Sequence, residues 1–345
     1  MVLLLAALMS SCEKVVEFDP GDVSPYVVMV SKPVGDSLVS VYLGYSRFFL
    51  DNREFNLIDN ATVTITSGNN SAVGTYDPHC FIQRDYYYYD DYYGYYDYYG
   101  DTTYQGGYAF TLRPNPGDTM RINAIIPGRD EVVSAMTVVP RQPQIEIVDF
   151  VVDTIDENMY GSDCNYRLRF RINCNSNREF FCVKLLSGNL QLLEDTTIWD
   201  SINMSSQFFS VNDPIVNNAS LEDALDGDDG SFYGREMYFS SERFSGGAHE
   251  FTMEFSYYSS VISGADMPVA IEVRALSEEL YRYNITSTGY TSDLDDLFSE
   301  PVQVYCNIKG GIGIFGASTN KRVKASNPRV ENFNNSSSNY YKKKK

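Results

Sequence analysis

The chain has 345 residues, 43% of them hydrophobic, which suits two domains of ordinary size, each with its own core. Its 46 acidic residues against 27 basic ones give a formal charge of −19, which argues against nucleic acid as a partner because like charges repel. With 28 Tyr and 20 Phe beside a single Trp, the composition favours strands over helices.

The chain opens with MVLLLAALMSSCEK. The apolar run Val2–Met9 is too short to cross a bilayer as a helix. It fits the apolar part of a secretion signal, residues 1–11, with Ser10 and Ser11 as the small residues of a cleavage site. Cys12 directly after that site looks like a bacterial lipobox, in which the thiol takes a diacylglyceryl group and the new amine is acylated, palmitate being a typical chain. Several acyl chains anchor a protein stably where one would be marginal. Met9 stands where such motifs usually carry Leu. The expected location is the outer membrane, lipid-anchored and facing the cell surface. Disulfides are permitted there, but Cys80, Cys164, Cys174, Cys182 and Cys306 follow no zinc spacing and read more simply as buried free thiols.

Beyond the signal the hydrophobic period is two. ATVTITS alternates Val63 and Ile65 with threonines, and TMRINAI puts Met120, Ile122 and Ala124 on one face. NYRLRFRIN sets Tyr166, Leu168, Phe170 and Ile172 against Arg167, Arg169 and Arg171, and EFTMEFSY sets Phe251, Met253, Phe255 and Tyr257 against Glu250 and Glu254. Val269, Ile271 and Val273 share one side of PVAIEVRA. These are half-buried antiparallel strands, and their spacing predicts an all-β protein of two β-sandwich domains. Pro140 and Pro143 interrupt the pattern. They place the boundary between an immunoglobulin-like N-terminal sandwich, residues 12–141, and a larger C-terminal β-rich domain, residues 142–330, with one or two short helices. LSEELYRYN is the best helix, with Ser277 as its cap and Glu278 and Glu279 in the first turn. ASLEDALDG is the second, capped by Ser220 and ended by Gly227. Residues 331–345 have no apolar period and read as a disordered tail.

Between two strand-like pieces of the first domain lies RDYYYYDDYYGYYDYYGD, with ten tyrosines and five aspartates in eighteen residues. It reads as a long connection, residues 85–105, because paired tyrosines would put rings on both faces of a strand. Two readings stand. Tyr86, Tyr87, Tyr88, Tyr89, Tyr92, Tyr93, Tyr95, Tyr96, Tyr98 and Tyr99 form a contact loop for ligand or partner, since tyrosine gives broad contact area at low entropy cost. Alternatively the tract is a non-essential insertion.

Other motifs carry little chemistry. GGIGIFG lacks both nucleotide-loop spacings, so its glycines read as bulges or close backbone approach. The acids of LEDALDGDDGS fail the calcium-loop order and read as a solvated turn. The arginine rung reads as paired with acids on neighbouring strands. No G-x-S-x-G elbow is present, and His79 and His249 are the only histidines, so no enzyme activity, catalytic residue, metal or cofactor is expected.

Three pieces together resemble an uncharacterised family of Bacteroidota outer-membrane lipoproteins, catalogued only as a domain of unknown function. They are SSCEKVVEFD, the run from GGYAFTLRP to VVPRQPQIEI, and IEVRALSEELYRYN followed by PVQVYCNIKGGIGIFGA. The resemblance implies a TonB-dependent outer-membrane receptor as partner and a role in nutrient capture. It supplies no ligand and no catalytic residue. The function expected is accessory ligand capture, or a lid-type role, beside such a transporter. A structural or adhesive surface protein binding macromolecules through its loops is the alternative, and a surface hydrolase a more distant one.

Overall fold

The computed structural model describes residues 25–47, 56–84, 88–90, 95–97, 102–158, 161–174, 176, 178–188, 204–216, 231–259, 269–287, 303–325 and 329–335. The signal segment with Cys12, the acidic run 222–229 with the helix expected there, and residues 336–345 lie outside these.

In chain order the strands are β1 (Val27–Ser31), β2 (Ser40–Tyr45), β3 (Thr62–Ser67), β4 (Asn70–Val73), β5 (Thr75–Arg84), β6 (Tyr88–Asp90), β7 (Tyr95–Asp97), β8 (Thr102–Ala109), β9 (Thr119–Ile125) and β10 (Val133–Val138). There follow β11 (Gln144–Asn158), β12 (Gly161–Asn173), β13 (Phe180–Gly188), β14 (Met204–Gln207), β15 (Phe209–Val211), β16 (Phe232–Gly234), β17 (Met237–Ser240), β18 (Ala248–Ser259) and β19 (Val269–Leu276). The α-helix of the described residues, α1 (Glu278–Ser287), precedes β20 (Ile312–Phe315), β21 (Ser318–Ala325) and β22 (Arg329–Asn335), and a 3-10 turn spans Ser241–Arg243. The fold is all-β and built of sandwiches, as the period-two pattern predicts.

The first sandwich faces a sheet ordered β20-β1-β2-β8-β5 against one ordered β10-β9-β3-β4. Alternation fills the space between them. Val27 and Met29 of β1, Val41 and Leu43 of β2, Val63 and Ile65 of β3, and Met120, Ile122 and Ala124 of β9 are all at or near zero exposure in one cluster. Each large side chain so buried contributes about 1.5–3 kcal/mol. Tyr108 belongs to this core but keeps its polar end satisfied. Its hydroxyl donates to the Ile58 carbonyl at 2.9 Å and accepts from the Ala61 amide at 2.9 Å, tying the 56–61 connection to the sheet.

The second sandwich pairs a sheet ordered β16-β15-β18-β12-β11-β22 with one ordered β14-β13-β19-β21, to which β17 adds beside β13. The register of β12 against β18 matches apolar with apolar: Leu168 faces Met253, Phe170 faces Phe251 and Tyr166 faces Phe255. The Phe170 and Phe251 rings stack at 5.5 Å and those of Tyr166 and Phe255 at 5.1 Å. The other face carries the arginine rung, and it is paired across strands. Arg167 reaches Asp153 at 2.9 Å, Arg169 reaches Glu250 at 3.6 Å, and Arg171 holds Glu146 at 2.7 Å and Glu250 at 3.1 Å. These exposed pairs contribute about 1 kcal/mol or less each and serve register more than stability. Residues 331–335, assigned to a tail by the sequence pattern, belong to β22, which pairs parallel with β11. Main-chain pairing at a sheet edge needs no apolar period, so the pattern does not reveal it.

The chain leaves β10 at Val138 and enters β11 at Gln144. It returns later: β20, from the C-terminal glycine-rich segment, pairs parallel with β1 of the first sandwich, Val28 to Ile312 and Ser31 to Phe315. Phe315 and Ala317 are fully buried in the first core. Glycine is required here. At Gly313 φ is +122°, and a Cβ would collide with the Met29 carbonyl. At Gly316 a Cβ would lie 2.7 Å from Leu280 Cβ of α1. Asn307 locks the turn, donating from Nδ2 to the Phe315 carbonyl at 2.8 Å and accepting the Phe315 amide at 3.0 Å.

Gly313→Ala is therefore expected to lower unfolding free energy by about 3 kcal/mol or more, strain and collision acting together. Gly117→Ala, where φ is +93° but nothing lies within 4 Å, isolates the strain alone and is expected to cost about 1–2 kcal/mol. Urea unfolding of both variants checks the difference.

Candidate functional site

The outward face of the β1-β2-β8-β5 sheet is unusually apolar for a solvated surface. Val28 and Val30 alternate outward from the buried Val27 and Met29, and Tyr42 does the same in β2, all three only partly exposed. Phe81 lies across the same face beside Gln105, its partner in β8. The β5–β8 register slips between Asp77 and Phe81, and Gly107 makes room, since a Cβ there would meet Phe81 Cε2 at 2.5 Å. Together with Leu38, Lys32 and Arg47 these residues line an open groove of about 760 Å3, within the size range of small-ligand sites.

The groove adjoins the tyrosine tract. β5 and β8 run on to the pair Arg84–Thr102, and pairing resumes inside the tract, where Tyr88, Tyr89 and Asp90 face Asp97, Tyr96 and Tyr95. The tract is thus not a connection throughout, because it contains the short β6–β7 ladder. Of the tyrosines predicted to make contacts, Tyr88, Tyr89, Tyr95 and Tyr96 fall in these strands. Tyr86, Tyr87, Tyr92, Tyr93, Tyr98 and Tyr99 lie outside the described residues, as does Cys12. Near the base of the ladder, Tyr104 is 55% exposed and meets the His79 ring edge-to-face at 4.9 Å.

Lys32, just past β1, marks the inner end of the groove. It also lines a second cavity of about 470 Å3 between the two sandwiches, with Cys182, Glu236, Tyr238, Arg274 and Leu280. Its ammonium sits 4.9 Å from the centre of the Tyr283 ring of α1. Packed surroundings push the Lys32 pKa down, with Glu236 pulling the other way. Inside the cavity Glu236 is paired with Lys184 and accepts from the Tyr238 hydroxyl. Burial opposes its ionisation, yet these hydrogen bonds and the charges of Lys184 and Arg274 hold its carboxyl below the ordinary range. Burial pushes the Tyr238 phenol well up and the Cys182 thiol to about 11. Glu272, only 8% exposed, is held by Arg274 at 2.9 Å and Arg322 at 3.1 Å. Positive and negative groups are matched one against another. The arrangement ties the strands of the second sandwich together on this face, and a thiol kept protonated does not act as a nucleophile.

α1 completes the junction. The Ser277 hydroxyl accepts the Leu280 amide at 3.3 Å, the expected cap, and also the Ala317 amide at 3.2 Å from the returning segment. Glu279, in the first turn, accepts from buried Thr137 of β10 at 2.9 Å. The two histidines fall in different sandwiches, His79 in β5 and His249 in β18. Among the described residues no group of three or more His, Cys, Asp and Glu is placed to hold a metal, and no helix is long and apolar enough to cross a membrane.

All five cysteines among the described residues are free thiols. Cys164 and Cys182 are buried and Cys80 and Cys174 partly so, whereas Cys306 is exposed, contrary to the expectation that all are buried. Sequence spacing gives no warning of this, because Cys306 lies in the irregular approach to β20. Nor does the sequence single out Val28, Val30, Lys32, Phe81 or Gln105. The unbroken apolar run VVMV, with the outward Tyr42 of SVYLGY, is the signal that both faces of this sheet are apolar. With native protein near pH 8, iodoacetamide is expected to label Cys306 at least about tenfold faster than Cys182, and peptide mapping after timed quenching reads that ratio.

No curated protein matches the chain. Among solved structures it is similar, at 6% identity, to the CFA/I enterotoxigenic E. coli adhesin CfaE, covering 90% of this chain and 85% of that one with a TM-score of 0.22. It is similar at 7% identity to the Enterococcus faecalis MSCRAMM ACE, covering 89% and 96%, with a TM-score of 0.17. Scores this low inform neither fold nor function. A family model matches residues 13–324, and the chain belongs to that family, described as Domain of unknown function (DUF4249).

Proposed function

We propose that the protein is an outer-membrane lipoprotein, anchored through Cys12, that captures a ligand beside a TonB-dependent nutrient transporter. The observation that carries this reading is the groove of about 760 Å3 on the outer face of the N-terminal sandwich. A sheet face lined by Val28, Val30, Tyr42 and Phe81 is costly to leave in water, and apolar concavities with a few polar groups at their rims are where ligands and partners dock. The lipobox-like MVLLLAALMSSC supports the anchor and the address. The tyrosine tract, rising from the same two strands that wall the groove, extends the contact surface. Lys32 and Arg47 give the groove local positive charge in a chain of net charge −19, which favours a ligand or receptor loop carrying carboxylates.

The groove binds without turnover in this reading, because no carboxylate, imidazole or thiol is among the described residues that line it. Arg84 and Thr102 face each other in the ladder, so residues 85–101 can be replaced by a two-residue turn without disturbing β5 or β8. That deletion is expected to leave the thermal transition within a few degrees of the parent, and to reduce recovery of a TonB-dependent receptor in native pull-downs from outer membrane by about fivefold or more. Recovery of no such receptor by the full chain would overturn the partnership, and full recovery by the deletion variant would assign the tract as an insertion.

A further inference from the structure

A third concavity belongs to the second sandwich alone. It has about 360 Å3 and is formed where β15 and β16 add to the edge of β18, far in sequence from the groove. Two large rings stand at its mouth. Tyr233 is 72% exposed and Phe208 is 47% exposed, and they stack nearly parallel, 5.4 Å apart with 14° between planes. Their positions are fixed by strand pairing, since Ser210 faces Tyr233 and Phe209 faces Gly234. The Arg235 guanidinium lies 4.4 Å from the Phe208 ring centre and steadies it further. Phe209, by contrast, turns inward and is buried. Rings packed this deliberately and left facing water are costly unless something covers them.

The rest of the lining is polar and mixed. Asp153, Asn165 and Glu254 supply planar side chains, and Ser210 and Ser256 supply hydroxyls. The Ser256 hydroxyl donates to Asn165 Oδ1 at 2.6 Å, and Ser210 donates to the Glu254 carbonyl at 3.4 Å. Such a set offers donors and acceptors within one ring's breadth of an aromatic face. Charge narrows the choice. Two carboxylates repel an anion, and positive charge is already supplied beside them, by Arg167 at 2.9 Å from Asp153 and by Arg235 at the Phe208 face. What remains is a neutral ligand with one apolar face and a rim of hydroxyls. A pyranose has that shape: axial C–H bonds on one face lie on an aromatic ring, and equatorial hydroxyls reach planar amide and carboxylate groups.

We propose that this cavity binds a neutral oligosaccharide, with Tyr233 as the stacking ring and Asn165 and Glu254 as hydroxyl partners. The site shares no residue with the groove, and its test needs no transporter, so its outcome is independent of the function proposed above. The test is calorimetric titration of the full mature chain with the hexasaccharides of maltose, cellobiose, laminaribiose, mannobiose and xylobiose type. At least one is expected to bind. Tyr233→Ala should weaken it about tenfold or more, whereas Tyr233→Phe, which keeps the ring, should bind within about threefold of the parent. Tyr233 is exposed, so neither change threatens the fold, and an unchanged unfolding curve verifies this. Failure of all five sugars to bind would overturn the proposal, and so would equal binding by Tyr233→Ala.

Discussion

The parallel pairing of β20 with β1 is the contact on which the rest of the molecule depends. It brings a segment near the C-terminus into the first sandwich, at the edge of the sheet that also forms the groove. A parallel pair needs a long crossover, and here the crossover runs through the rest of the first sandwich and most of the second, from β2 to α1. Two rigid bodies that would otherwise be joined by the short 139–143 connection become joined twice. Further stitches run alongside: the Gly35 amide donates to the Ser318 carbonyl at 2.8 Å, and Thr319 Oγ1 donates to the Arg141 carbonyl at 2.9 Å. Because the approach of backbone to backbone is so close, the glycines of GGIGIFG are a structural demand and not a phosphate cradle.

That double connection explains why the two outer sheet faces fare differently. The outer face of the β13-β19-β21 sheet is covered by α1 and, through Lys32 and Thr137, by the first sandwich. Its polar residues are consequently forced into pairs, since an unpaired buried charge is far costlier than a paired one. Glu272 between Arg274 and Arg322 is such a case, and Glu236 between Lys184 and Tyr238 is another. Among the described residues, the outer face of the first sandwich receives no such cover along Val28, Val30, Tyr42 and Phe81. Lys32 stands at the divide, serving the closed junction on one side and the open groove on the other.

Periodicity made the strands legible and little else. Met120, Ile122 and Ala124, or Phe251, Met253 and Phe255, announce their buried face through local alternation alone. The cap at Ser277 was legible too, because capping is decided within one turn of the chain. The parallel ladders of β20 and β22 were not, since their partners lie far away in sequence and an edge strand needs only free main-chain groups. Nor could alternation show that β19 is buried on both faces, with Val269, Ala270 and Ile271 all at zero exposure and Leu276 packed against Leu280 of α1. Phe208 and Tyr233 meet only through the β15–β16 pairing, so no sequence window contains their stack. The tyrosine tract drew attention by composition, yet the groove beneath it had no compositional mark.

The distribution of charge among the described residues is one of closed pairs. A catalytic group needs a pKa moved toward the working pH, and a site that moves it leaves that group's partner incomplete until substrate arrives. Here the shifts run the opposite way. The thiols of Cys174 and Cys182 are pushed to about 11 by burial, and Glu236 and Glu272 are held ionised by neighbours that already complete them. Energy stored in such closed pairs goes into fixing geometry. The surfaces that remain open, the Val28–Phe81 groove and the Tyr233 ring, are aromatic and aliphatic faces edged with hydrogen-bonding groups. Surfaces of that kind gain free energy when something covers them.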